Sequence, residues 1–436
     1  MVNRLDLRGK EGDSTTLLPR AEFSMVEAIP LAQAVLDDVR TRGSIALLEQ
    51  AEKFDGVRPD SIRVPLEEIE QAQETLDPQV LAALNESIFR VSEAAKNQVP
   101  PFRETRFNDG AIVQQRWQAV ERVGLYIPGG KAVLVSSVVM NAVTAQAAGV
   151  KSIALASPAQ AEYGGLPHPT ILAAAGILGI TEVYAMGGAG AIGAFAYGVA
   201  DLGLEPVSVI AGPGNIFGAA AKRIVSSMVG IDAEAGPTEI LIIADNTADA
   251  EFIAADLLSQ AEHDELAAAV LLSDSAELID RVEQALSRQL AETPNRERAA
   301  IALSGKQSAL IQMDSLAACA ELSNAYAPEH LSLITQDNDA LLELIQNAGA
   351  IFMGPHSPVS LGDYLAGSNH VLPTGGQARY RSGLSVATFL RPQQIIRYNQ
   401  AGLAEVAKFT QDLAEAEHLP AHGNAIAVRF LQDKGQ

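Results

Sequence analysis

The side chains with which this chain could do chemistry are few: seven histidines and a single cysteine, Cys319. Glu329-His330 stands directly before an apolar run that reads as a strand, Leu331 to Thr335. A carboxylate beside an imidazole at a helix-to-strand junction offers two groups for proton transfer, although exposed turns carry such pairs by chance. His263 closes a helix three residues after Gln260, so the two share one face of its last turn. A polar pair there suits a metal or a catalytic group, or is simply a solvated helix end. His370 lies in Gly367-Ser368-Asn369-His370, close to Asp363, where a buried, hydrogen-bonded histidine competes with a catalytic one. His168, between prolines, reads as surface; His356, in Gly-Pro-His-Ser-Pro, reads as a turn; His418 and His422 follow the last long helix. There is no CxxC and no HExxH, so a zinc site would need ligands assembled from distant segments. Ligand chemistry alone favours His263, Glu262, Asp363 and a C-terminal histidine. Glutamine is a poorer zinc ligand than carboxylate or imidazole, which ranks Gln260 behind them. Cys319 sits in the apolar helical run Leu316 to Ala320, which suits a buried thiol better than a nucleophile.

Three glycine clusters each fall between a strand and a helix: Pro128-Gly129-Gly130, Gly187-Gly188-Ala189-Gly190 and Gly212-Pro213-Gly214-Asn215. Backbone amides at such junctions suit an anion, and glycine lets a ligand come close. Each cluster alone is more often a tight turn. Three at equivalent strand ends are a stronger signal, because ligands bind at the carboxyl edge of such sheets. No GxGxxG with a following acidic residue accompanies them.

The elements that must position these residues follow a βα rhythm. Strands are expected at Val123–Ile127, Ser152–Ala156, Val183–Met186, Val207–Ala211, Glu239–Ala244 and Ala268–Leu272, with helices between them. A weaker strand is expected at Ala299–Leu303, and further strands at Leu331–Thr335 and Ala350–Met353. Short apolar runs alternating with helices imply parallel sheets covered on both faces, an α/β fold. The helix that carries Gln260 and His263 is expected to start at Asp245 or Thr247. Residues 1 to about 25 read as an irregular arm, and Met25–Phe54 and Pro65–Asn97 carry helical spacing. After about Gly375 the chain turns polar and then helical, from Ala401 to about Glu417.

The 436 residues suffice for two or three domains. A formal charge of −22 repels phosphate backbones and anionic membranes and argues against nucleic-acid binding. One cysteine excludes an internal disulfide and fits a reducing cytoplasm, and the first residues contain no apolar signal core. Val183–Val199 is uncharged, but its glycines and its length below the roughly 20 residues of a span make it a buried strand, turn and helix.

The motifs GLYIPGG (124–130), GPGN (212–215), IDAEAGPTEI (231–240), LLSQAEHD (257–264), PEHL (328–331), GDYLAGSNHVLPT (362–374) and LPAHGNA (419–425) closely resemble those of histidinol dehydrogenases, in the same order and spacing. The resemblance runs from about Met25 to the C-terminal segment. It implies oxidation of L-histidinol to L-histidine with two NAD⁺ through an enzyme-bound aldehyde, the last step of histidine biosynthesis. It implies one zinc ion per subunit, held by Gln260, His263, Asp363 and His422, and a proton-transfer pair, Glu329 and His330. Thr238, Glu417, His330 and the zinc ligands would line the substrate, and Tyr126, Gly190 and Asn215 the NAD. The family pattern usually has glutamine, a nucleotide contact, where this chain has Gly190. The resemblance further implies two incomplete Rossmann-like lobes in an intertwined homodimer, with Glu417 and His422 reaching the partner's site. Its expected divisions are an arm, 1–25; a first lobe with the metal and catalytic residues, 26–125 together with 239–378; a nucleotide-side lobe, 126–238; and a dimerisation element, 379–436. Two rival readings remain: a cysteine-dependent aldehyde dehydrogenase using Cys319, and a non-catalytic zinc- or nucleotide-binding relative.

Overall fold

The computed structural model describes residues 2–10, 18, 20–21, 25–129, 133–234 and 236–431. It forms two compact units, Met1–Gln98 with Val120–Phe389 and Val99–Ala119 with Leu390–Gln436. The larger unit opens with β1 (Asn3–Asp6), α1 (Met25–Arg42), α2 (Ser44–Gln50), α3 (Leu66–Glu74) and α4 (Pro78–Gln98). A π-helical turn, Ala51–Asp55, continues α2. The smaller unit holds β2 (Arg103–Asn108) and β3 (Ala111–Ala119). The larger unit resumes with β4 (Arg122–Tyr126), α5 (Val135–Ala147), β5 (Ser152–Ser157), α6 (Pro169–Ile177), β6 (Val183–Ala185), α7 (Gly188–Tyr197), β7 (Val209–Ala211), α8 (Ile216–Val225) and β8 (Gly230–Ile231). Next come β9 (Glu239–Ala244), α9 (Ala250–Ala261), β10 (Ala268–Ser273), α10 (Ala276–Glu292), α11 (Arg296–Ser304), β11 (Ala309–Gln312), α12 (Leu316–Tyr326), β12 (His330–Ile334), α13 (Asn338–Leu342), β13 (Ala350–Met353) and α14 (Val359–Tyr364). Back in the smaller unit are β14 (Leu390–Tyr398), α15 (Gln400–Ala416) and α16 (Pro420–Ala427).

Both sheets of the larger unit are parallel. One is six-stranded, in the order β1-β11-β10-β9-β12-β13; the other is five-stranded, in the order β6-β5-β4-β7-β8. Their strands are apolar on both faces because both faces are covered. Along β9, Ile240, Ile242 and Ala244 enter the core under α9 and α10, while Leu241 and Ile243 enter the opposite core under α12. That is the two-residue alternation of a strand, used twice. In the five-stranded sheet Leu155 faces one core, whereas Ala154 and Ala156 face the other.

Helices α1 to α4 belong to this second sheet. α1 packs on α7 and α8, α3 on α6, and α4 on α5. This packing differs from the expected division, which put 26–125 with the metal-side lobe. β4 likewise hydrogen-bonds within the five-stranded sheet, between β5 and β7. The smaller unit pairs β3 antiparallel with both β2 and β14, so the expected C-terminal element gains the hairpin 103–119.

Two local expectations are also corrected. The arm is not wholly irregular, since Asn3 to Asp6 pair in parallel with Ala309 to Gln312 as an edge strand. Residues 11–17, 19 and 22–24 of the arm lie outside the described residues. Ala299–Leu303 is not a strand but part of α11. Alanine has the highest helix propensity, and the run Ala299-Ala300-Ile301-Ala302-Leu303 has no β-branched residue but Ile301. Among the described residues, no helix is long and apolar enough to cross a membrane. The uncharged stretch 183–199 is β6, a glycine turn and the buried helix α7.

Candidate active site

Parallel βα units run each helix back against its strand, so helix C-termini and strand N-termini meet at the amino edge of a sheet. At that edge of the six-stranded sheet Thr238 precedes β9, Glu329 precedes β12 and His330 begins it. β9 and β12 are neighbours, with His330 opposite Ile240. Gln260 lies in the last turn of α9 and Asp363 in the last turn of α14. α9 starts at Asp249, whose carboxylate accepts from Glu251 N at 2.9 Å; neither Asp245 nor Thr247 is the cap. His263 falls just beyond the helix, its N–H donating to Gln260 O at 3.3 Å.

Glu329 and His330 are both buried. His330 Nδ1 lies 2.9 Å from Glu239 O, a group that can only accept, so Nδ1 carries the proton and Nε2 keeps a free lone pair. One Glu329 oxygen is occupied: Oε2 accepts from Thr238 Oγ1 at 2.6 Å and from Glu239 N at 2.9 Å. It also lies 3.6 Å from His330 Nδ1. Oε1 is left for a substrate or a water molecule. Burial pushes the Glu329 carboxyl above its ordinary range, against the opposing pull of His330, Thr238 and the Glu239 amide. Thr238 Oγ1 in turn accepts from Gln260 Nε2 at 2.6 Å. A chain therefore runs from Gln260 through Thr238 to Glu329.

His263 Nε2 and Asp363 Oδ2 are 3.9 Å apart. Zinc bonds of about 2.0–2.2 Å allow two donors at roughly that separation to share one ion. Gln260 uses its amide nitrogen on Thr238, so its carbonyl oxygen is the atom it could offer a metal. α9 and α14 both end here, and helix C-termini carry partial negative charge that favours a cation. One imidazole, one carboxylate and one amide oxygen thus fit a zinc ion that takes a fourth ligand from elsewhere. Among the described residues no group of three or more His, Cys, Asp or Glu clusters at metal-binding distance. Glu262, preferred over Gln260 on chemistry alone, turns away and accepts from Asn295 Nδ2 at 2.8 Å. Glu417 caps the C-terminus of α15 and His422 lies in α16; both are exposed on the smaller unit.

For His370, the sequence leaves a catalytic role in competition with a structural, hydrogen-bonded one. Its Nδ1 lies 3.1 Å from Asp363 O and its Nε2 3.1 Å from Ser137 Oγ. The carbonyl fixes the proton on Nδ1, so Ser137 donates to Nε2. Ser137 begins α5, at the carboxyl edge of the five-stranded sheet, so His370 links that edge to the amino edge of the other sheet. Burial draws its imidazole below the ordinary range, which keeps it neutral. No local sequence signal pairs Ser137 with His370, because 233 residues separate them.

The glycine clusters line the carboxyl edge of the five-stranded sheet, as expected. Tyr126 ends β4, and its OH accepts from Gly188 N at 3.2 Å, at the start of α7. Asn215 caps α8, its Oδ1 accepting from Phe217 N and Gly218 N at 3.1 Å each. The Gly212 turn is pinned from both sides. Lys222 Nζ donates to Gly212 O at 2.5 Å, and Gly212 N donates to Asp232 Oδ2 at 2.8 Å. Lys222 and Asp232 pair at 2.6 Å, both buried. Gly212 has φ +122°, and a Cβ there would fall 1.9 Å from Tyr126 O, so only glycine fits. Gly190 has no side chain to contact a ligand, and a Cβ there would lie 2.1 Å from Gln50 Oε1. The edge thus offers glycine backbone at two helix starts, with Asn215 at one and Tyr126 at the other, an arrangement that fits a dinucleotide. Gly130 lies outside the described residues.

Cys319 is buried in the core beneath β9 and β12, and burial pushes its thiol up to about 12. A catalytic thiol needs the opposite shift.

Two facing α/β lobes, an acid–base pair at one sheet edge and a glycine-lined edge at the other define a dehydrogenase of the α/β class. The sequence profile of histidinol dehydrogenases matches residues 18–430. A histidinol dehydrogenase from Leifsonia xyli subsp. xyli is 59% identical over 432 residues, covering 98% of this chain and 99% of the relative. One from Thermobifida fusca is 53% identical, covering 100% and 99%. The crystal structure of histidinol dehydrogenase from Elizabethkingia anophelis superposes with a TM-score of 0.93 at 33% identity, covering 100% of both chains. The chain belongs to the histidinol dehydrogenase family, whose activity is the last step of histidine biosynthesis.

Proposed function

We propose that this chain oxidises L-histidinol to L-histidine through an enzyme-bound aldehyde, using two NAD⁺ and one zinc ion per subunit. Gln260, His263, Asp363 and His422 of the partner subunit would hold the ion, and Tyr126, Asn215 and the backbone at Gly190 would hold the dinucleotide. Zinc, when bound, supplies a redox-inert Lewis acid for the amine and imidazole nitrogens of histidinol, and NAD⁺ supplies the hydride acceptor. The residues that would hold the ion, Gln260, His263 and Asp363, stand beside Glu329 and His330, so a substrate held there would be positioned for their proton transfers. His330 takes the alcohol proton at Nε2 as hydride leaves the carbinol carbon. Glu329 Oε1 then takes a proton from the water that adds to the aldehyde, while His330 returns its proton from Nε2 to the former carbonyl oxygen. The resulting gem-diol gives a proton to His330 as the second hydride leaves. Thr238 holds Glu329 in place throughout. The subunit works as half of an intertwined homodimer, with Glu417 and His422 completing the partner's site, and the single-cysteine composition suits the cytoplasm.

The observation that carries this reading is the fixed tautomer of His330, with Glu329 Oε2 3.6 Å from its Nδ1, at the sheet edge that also holds His263 and Asp363. General-base assistance contributes about 10²–10⁴-fold. His330→Asn should therefore reduce turnover by about that factor while zinc content stays at one per subunit. Loss of zinc together with turnover would mean that His330 serves the metal instead.

A further inference from the structure

Position 190 sits in the first turn of α7, two residues after the Gly188 amide that donates to Tyr126 OH. The direction in which a side chain would leave Gly190 is already filled. A Cβ there would lie 2.1 Å from Gln50 Oε1, 3.3 Å from Gln50 Cδ and 3.3 Å from Leu47 Cδ2. The glycine and the glutamine are thus complementary, one giving the space that the other takes. Gln50 Nε2 is buried and has no hydrogen-bond partner. The Gln50 amide makes at most a long, weak hydrogen bond to the Asp38 carboxylate, whose principal partner is Arg42. A buried donor left unpaired is costly, and a ligand oxygen would relieve it.

The backbone around Gln50 points the same way. α2 ends at Gln50 and passes into the π-helical turn Ala51–Asp55. Such turns occur mostly at functional sites. Asp55, at the end of that turn, is close enough to Tyr126 to act on its phenol electrostatically. The 50–55 segment therefore meets the α7 start through Gln50 at Gly190, and the charge of Asp55 is felt at Tyr126.

We propose that Gln50 supplies, from α2, the amide that contacts an acceptor oxygen of the dinucleotide at the start of α7, in place of a side chain at position 190. The proposal rests on the reading of this edge as the NAD site. It makes Gln50 and Gly190 an exchangeable pair.

The test is direct titration of NAD⁺ into full-length, zinc-loaded protein by calorimetry, with histidinol affinity and Tm measured on the same preparations. Gln50→Met keeps the length and packing of the side chain and removes the donor. It should raise the NAD⁺ dissociation constant about 3–10-fold, the effect of one lost hydrogen bond, with histidinol affinity and Tm unchanged. Gly190→Gln alone should weaken NAD⁺ further, because two side chains then compete for one space. The exchange Gln50→Gly with Gly190→Gln should return NAD⁺ affinity to within about threefold of the parent, a strongly non-additive result. Parent-like NAD⁺ binding by Gln50→Met, or an exchange variant no better than Gly190→Gln alone, would overturn the proposal. A parent protein that binds no NAD⁺ would instead overturn the reading of the site.

Discussion

Thr238→Val isolates the hydroxyl that joins the metal side of the site to the base. Valine keeps the shape of threonine and removes Oγ1, which donates to Glu329 Oε2 at 2.6 Å and accepts from Gln260 Nε2 at 2.6 Å. A hydrogen bond to an ionised carboxylate is worth about 1.5–3 kcal/mol. Its loss should push the Glu329 carboxyl further above its ordinary range. The direction follows from the site, where burial already raises this carboxyl and the Thr238 hydroxyl is one of the contacts pulling it back down. Glu329 must be ionised to activate water, so activity grows as pH rises through its pKa. The acid limb of kcat against pH, measured with L-histidinal as substrate so that only the second oxidation is followed, should therefore move to higher pH. Thr238→Ser keeps the hydroxyl and should leave the limb near its original place. Thr238→Val also orphans Gln260 Nε2, which is buried, at a stability cost of about 1–3 kcal/mol in denaturant unfolding. An unmoved acid limb in Thr238→Val, with zinc still bound, would refute the role given to Oγ1. An equal shift in Thr238→Ser would refute it too.

Two further substitutions test the rest of the site. Cys319→Ala should keep full turnover with histidinol, because this thiol is buried and pushed up to about 12; an inactive but folded, zinc-replete variant would restore a thiol mechanism. Lys222→Met leaves Asp232 charged and buried, so it should cost about 3–5 kcal/mol in unfolding and raise the KM for NAD⁺ while histidinol still binds; Lys222→Met with Asp232→Leu should recover the stability but not the KM.

How far the sequence reveals this protein depends on whether the deciding forces are local. β9 and β13 occupy the expected residues, because a short apolar run between turns has one stable use in a parallel sheet. β1 has no such signal: its four residues alternate in burial and become a strand only because β11 offers an edge. β2 and β3 are masked by arginine and glutamine on their exposed faces. α11 was misread because apolar periodicity in a five-residue run does not separate helix from buried strand. The site divides in the same way. Glu329 and His330 were visible as neighbours, and the glycine turns as strand ends. Gln260 came only from the family resemblance, since ligand chemistry prefers Glu262, and the helix then turns Glu262 towards Asn295. The Ser137–His370 link and the Gln50–Gly190 fit join residues more than a hundred positions apart, and only packing of the folded chain brings them together. The carboxyl-edge rule held for the five-stranded sheet alone. The Glu329–His330 pair lies at the amino edge of the other sheet, where helix C-termini favour a cation.

The most direct test of the account is a count of NADH formed per histidinol consumed by the zinc-loaded protein, with the product identified. One Glu-His pair serving two successive oxidations predicts two NADH and one L-histidine for each L-histidinol, without free aldehyde. One NADH per histidinol with histidinal released into solution, or no NADH at all, would contradict it.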